Sequence, residues 1–165
     1  MASKITSQPG AAESPSPQDQ PGQSHRILLA DDDVFMRRMN EGVLLRSGYQ
    51  VVAVEDGEEA WDALHSTELD LLITDNDMPK LTGVELLKRL HASQIAVPVI
   101  LATGVPPTEE LERHPWLQVA ATLLKPFTVE ELLSTVAEVL HAIDGPNLQT
   151  MPPPQRQNQP SDDDL

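Results

Sequence analysis

Arg26-Ile27-Leu28-Leu29-Ala30-Asp31-Asp32-Asp33 is an apolar run that stops abruptly on three carboxylates. Arg26–Ala30 is a short apolar run without polar–apolar alternation, which predicts a strand buried on both faces, as in a parallel sheet. Val34–Ser47 follows with Met36, Met39, Val43 and Leu44 at helical spacing, and Gly48 stands where a helix C-cap belongs. The segment therefore reads as strand, acidic turn, helix.

Further units of the same kind follow. Tyr49–Val54 is β-branched and predicts a second strand. Asp56 with Glu59 predicts a reciprocal N-cap for a helix to Ser66. Leu69–Thr74 predicts a third strand ending at Asp75, and Thr82 with Glu85 a capping box for a helix to Ala92. Val97–Ala102 predicts a fourth strand ending at Thr103, and Ala121–Leu124 a fifth ending at Lys125-Pro126. Thr128 with Glu131 is a third capping box, and the helix behind it carries Val129, Leu132, Leu133, Val136, Leu140 and Ile143 on one face. Between them, Thr108–Val119 holds His114 before Pro115, which disfavours helical geometry at His114 and predicts a fourth helix of two turns, then an irregular stretch around Trp116.

Five strands alternating with helices predict an α/β fold with a parallel sheet covered on both faces. Ligands of such sheets sit beyond the carboxyl ends of the strands. Those ends carry Asp31, Asp32, Asp75, Thr103 and Lys125. Clustered carboxylates repel unless a cation neutralises them. Hard oxygen donors without Cys or His suit Mg²⁺. A carboxylate beside that ion can act as a nucleophile toward phosphorus, with the ammonium and hydroxyl around the phosphoryl oxygens.

Composition narrows the function classes. The 165 residues carry a formal charge of −15, and positions 26–144 alone hold 21 acidic and 9 basic side chains. Such a surface repels nucleic-acid phosphate and anionic membranes. There is no cysteine, which excludes disulfides and thiol chemistry. Met1–Gly10 lacks the apolar core of a signal peptide, and the run Ile95–Ala102 is too short to span a membrane, so the expectation is a cytoplasmic protein. Positions 1–25 and 145–165 hold 9 of the 15 prolines and are expected to be disordered tails around a domain over 26–144. Trp61 and Trp116 read as packing residues, Phe35 and Phe127 as core or half-exposed, and Asp33 and Asp56 as helix caps.

The set Leu28-Leu-Ala-Asp-Asp32, Asp75-Asn-Asp-Met-Pro79 with Gly83, Pro98-Val-Ile-Leu-Ala-Thr103-Gly104 and Leu124-Lys-Pro-Phe127 resembles the receiver domain of two-component response regulators, in particular the single-domain, chemotaxis type. The resemblance implies a flavodoxin-like (βα)5 three-layer sandwich with strand order 2-1-3-4-5. It implies that Asp75 accepts a phosphoryl group from a histidine kinase or histidine phosphotransfer protein. Asp31, Asp32, Asp75 and the backbone carbonyl of Asp77 would hold Mg²⁺. Lys125 would pair with the phosphoryl oxygens, and Thr103 would bond one of them after activation. Gly104 would keep access open, and the Lys125–Pro126 peptide would be cis. Output would pass through phosphorylation-dependent binding of an unidentified partner protein, with no independent substrate.

Two features depart from the pattern. Thr122 stands where many receivers have an aromatic side chain, so an aromatic rotamer switch cannot operate there. The short fourth helix alters the usual output surface. Two other readings remain open at this point. One is a non-phosphorylated adaptor that uses the fold as a binding surface. The other is a haloacid-dehalogenase-type phosphatase, with Asp31 as nucleophile and Asp33 as acid/base; no later paired-Asp motif accompanies it.

Overall fold

The computed structural model describes residues 24–145. Of the two proline-rich ends expected to be disordered, positions 1–23 and 146–165 lie outside the described residues. Five strands alternate with five helices: β1 (Arg26–Ala30), α1 (Val34–Arg46), β2 (Gln50–Val54), α2 (Gly57–Ser66), β3 (Leu71–Asp75), α3 (Gly83–Ala92), β4 (Val99–Thr103), α4 (Thr108–Arg113), β5 (Ala121–Leu124) and α5 (Val129–Ile143). The strands form one parallel sheet in the order β2-β1-β3-β4-β5, the flavodoxin-like arrangement. No helix among the described residues is long and apolar enough to cross a membrane.

The unbroken apolar strands are explained by helices on both faces. Ile27 and Leu29 pack with Val43 and Leu44 of α1 and with Leu132, Val136 and Leu140 of α5. Leu28 points the other way, with Ala60 and Leu64 of α2 and Leu86, Leu87 and Leu90 of α3. Each fully buried aliphatic side chain contributes about 1.5–3 kcal/mol, so these two layers hold the strand ends in place.

The inward stripes differ in detail from the expected ones. On α1 the buried residues are Asn40, Val43 and Leu44, with Met36 half-buried and Met39 exposed. Asn40 is one turn from both Met36 and Leu44, and a search for apolar residues passes over it. On α5, Val139 is buried while Val129 and Ile143 are exposed, because these two lie at the helix ends, where less of the sheet is beneath them. Phe35, expected to be core or half-exposed, is 74 % exposed.

The capping boxes at Thr82 and Thr128 both form. Asp56 caps α2 through Glu58 N and Glu59 N, but Glu59 reaches past it to accept from Glu55 N at 3.1 Å. The fourth helix has six residues, none of them buried, and ends at His114, whose ψ of 72° lies outside the helical range, as Pro115 requires.

Candidate functional site

Strand register brings the site together. Ala30 lies level with Thr74, Asp75 with Ala102, and Thr103 with Leu124. Asp31, Asp75, Thr103 and Lys125 therefore emerge along one edge of the sheet, at the carboxyl ends of four neighbouring strands. Asp31 and Asp75 are buried, and Asp32 is exposed above them.

Lys125 is the bridge. Its Nζ donates to Asp75 Oδ2 at 2.7 Å and to Asp31 Oδ2 at 3.0 Å. The remaining carboxylate oxygens are oriented by the backbone: Asp33 N donates to Asp31 Oδ1 at 2.9 Å, and Asp77 N to Asp75 Oδ1 at 3.1 Å. Arg37 Nη1 adds a bond to the Asp31 carbonyl at 2.6 Å. Burial pushes the Asp31 carboxyl above its ordinary value, and its hydrogen bond to Lys125 offsets this only in part. Burial also works against the Lys125 ammonium, but its hydrogen bonds to Asp75 and Asp31 outweigh that cost and raise its pKa.

Asp31, Asp32 and Asp75 each offer an oxygen within 4.8 Å of the other two. One ammonium faces three carboxylates, so the cluster keeps an excess of negative charge. An all-oxygen donor set of this kind fits Mg²⁺.

The other expected residues divide. Asp77 is exposed on the β3–α3 loop, next to the Asp75 carboxylate. Thr103 is fully buried, and its hydroxyl donates to the Val105 carbonyl at 3.0 Å, so here it serves its own loop. Gly104 is exposed, with open space at its missing Cβ. The Lys125–Pro126 peptide is cis. Asp33 does not join the cluster: its Oδ1 accepts from Phe35 N and Met36 N at the start of α1, which occupies the group the phosphatase reading needs as acid/base.

Asn76 and Gly83 stand in the quoted motif, but the sequence does not show how they support the site. Asn76 Oδ1 accepts from Val84 N at 3.1 Å, and its carbonyl accepts from Gly83 N, which ties α3 to the site. A Cβ on Gly83 would lie 2.5 Å from the Asp75 carbonyl oxygen, so only glycine fits.

A family model and several known proteins match this chain. The model of the response regulator receiver domain matches residues 27–137. Chemotaxis protein CheY of Pseudomonas aeruginosa is 30% identical over 123 residues, covering 73% of this chain and 99% of that protein. The alkaline phosphatase synthesis transcriptional regulatory protein PhoP of Bacillus subtilis is 32% identical over 117 residues, 70% of this chain, and this chain spans only 48% of its length. The solved structure of chemotaxis response regulator CheY4 of Vibrio cholerae superposes with a TM-score of 0.62 at 30% identity, over 70% of this chain and 98% of that one. The residues matched by the family model, 27–137, span the sheet that carries the acidic edge, and by that match the chain belongs to the response regulator receiver domain family, with CheY-like relatives.

Proposed function

We propose that residues 26–144 are a receiver that takes a phosphoryl group onto Asp75 from a phosphohistidine on a sensor kinase or phosphotransfer protein. The observation that carries this is the single Lys125 ammonium held between Asp31 and Asp75 at the sheet edge. A carboxylate oxygen of Asp75 forms the new bond to phosphorus. The phosphorus–nitrogen bond to the donor imidazole breaks, and its electron pair returns to the ring. Lys125 moves from Asp75 Oδ2 to the incoming phosphoryl oxygens and balances their charge. Asp31, Asp32, Asp75 and the Asp77 carbonyl would hold Mg²⁺, which would supply positive charge beside the phosphoryl group.

The added charge is the signal. Thr103 leaves the Val105 carbonyl for a phosphoryl oxygen, and the loop after β4 follows it. That movement changes the surface of α4, β5 and α5, and a partner protein in the cytoplasm that prefers the changed surface also stabilises it. The open face at Thr122 and the six-residue α4 set the shape that the partner reads.

Intact-mass spectrometry tests the reading after incubation with an acyl phosphate donor, with and without Mg²⁺. The expected result is one phosphoryl group on the wild type with Mg²⁺ and none on Asp75→Asn. A folded wild type that takes up no phosphoryl group from this donor or from a phosphohistidine donor would favour the adaptor reading.

A further inference from the structure

A second acidic cluster lies beside the first. Glu55, Asp56 and Glu59 bring three carboxylate oxygens within 4.8 Å of one another. Unlike the edge cluster, it is closed from inside. Asp56 is 2 % exposed, and its Oδ1 accepts from Glu58 N and Glu59 N, both at 2.9 Å. Its Oδ2 takes the Lys80 ammonium in an ion pair. That lysine comes from the β3–α3 loop, and its φ of 67° is a left-handed conformation that side-chain-bearing residues rarely adopt. The next residue is seated by the same junction: a Cβ on Gly57 would overlap the Leu81 carbonyl oxygen. Asp56 and Gly57 thus grip Lys80 and Leu81 side by side.

The loop they grip is the one that serves the edge cluster. Its Asp77 amide orients the Asp75 carboxylate, and its Asp77 carbonyl is the expected further ligand. Asn76 and Gly83 fasten the loop to α3, and the Lys80–Asp56 pair fastens it to α2. We infer that Lys80 is a positioning residue, a latch whose ion pair with Asp56 seats the β3–α3 loop and so sets the affinity of the Asp31, Asp32 and Asp75 site for Mg²⁺; this rests on the reading of that site proposed above. Each partner also favours the charged form of the other: the hydrogen bond from Lys80 holds the Asp56 carboxyl below its ordinary value, and the bond to Asp56 raises the Lys80 ammonium above its own.

Charge alone predicts a different pattern from a latch. Removing the Lys80 charge makes the region more negative and would tighten Mg²⁺ binding; removing the Asp56 charge would weaken it. A latch predicts that both weaken it. Calorimetric titration of the full chain with Mg²⁺ separates the two, using wild type, Lys80→Met, Lys80→Arg and Asp56→Asn. Asparagine keeps the helix cap, so the last variant tests the pair without removing the start of α2. The expected result is an affinity lower by roughly tenfold for Lys80→Met and for Asp56→Asn. Lys80→Arg should stay near wild type. Hydrogen exchange gives a second readout: the Asp77 and Met78 amides should exchange faster in Lys80→Met while those of β3 stay protected. Unchanged or tighter Mg²⁺ binding by Lys80→Met would overturn the latch, as would unchanged exchange at Asp77. Absence of Mg²⁺ binding by the wild type would overturn both the latch and the reading of the site beneath it.

Discussion

Both acidic clusters of this domain have three carboxylates and one lysine, yet they are built for opposite ends. At Asp56 the helix start and Lys80 satisfy the buried carboxylate, and its pKa falls. At Asp31 burial dominates, Lys125 offsets it only in part, and the pKa rises. The first arrangement stabilises the folded chain as it stands. The second is left electrostatically incomplete and gains from an added cation. Strained or uncompensated groups persist where function needs them, and the surrounding structure bears the cost. The two-layer core beneath the sheet edge is that surrounding structure.

The sharpest way to break this comparison is to remove each lysine. Lys125→Met should slow Asp75 phosphorylation by an acyl phosphate donor about 10²- to 10³-fold at saturating Mg²⁺, because a charge aimed at the phosphoryl oxygens is lost. Lys80→Met should leave that saturating rate unchanged and raise only the Mg²⁺ concentration needed to reach it. Equal losses of saturating rate in both variants would mean that the clusters do not differ in kind. Single-turnover mass spectrometry across a Mg²⁺ series measures both quantities.

A smaller effect, on stability, sharpens the comparison further. In Mg²⁺-free buffer at neutral pH, Asp31→Asn should stabilise the fold by about 1 kcal/mol, because it removes a buried charge that Lys125 compensates only in part. Asp56→Asn should lower Tm, because it removes a satisfied one. Saturating Mg²⁺ should then stabilise the wild type far more than Asp31→Asn, since a ligand stabilises only the state it binds. Urea and thermal melts with and without Mg²⁺ test all three signs.

Much of this was legible in the sequence because it lies on regular elements. β1 and β5 have the bounds read from their apolar runs. The third and fourth strands begin later than expected, at Leu71 and Val99. Leu69 and Val97 still pack against the core, but from the loops before the strands, so hydrophobicity overran pairing. Asp31, Asp75 and Lys125 were found because a parallel sheet delivers every strand end to one edge. Lys80 was not, because the pair spans 24 residues and depends on one left-handed residue in a loop with no periodicity. The true stripe on α1 was hidden by Asn40, a polar residue in a buried position.

Acid titration separates the two clusters by direction. The ordinary value for both Asp31 and Asp56 is 3.8. The folded-state pKa of Asp31 lies above it, so between 3.8 and that value the folded chain holds a proton that the unfolded chain has released. Stability therefore falls as pH rises through this window, and the penalty is complete above it. The advantage of Asp31→Asn over wild type should be full at neutral pH and should vanish as pH falls to 3.8. For Asp56 the folded-state pKa lies below 3.8, so its contribution is complete above 3.8 and is lost only as pH falls further. The deficit of Asp56→Asn should then persist down to 3.8 and close below it. Urea melts of the three proteins at closely spaced pH values in Mg²⁺-free buffer read both gaps. Two gaps that close on the same side of 3.8 would mean that burial and pairing act alike on the two carboxylates. Closure on opposite sides would tie the incomplete cluster to burial without sufficient counter-charge, the condition under which a divalent cation has most to contribute.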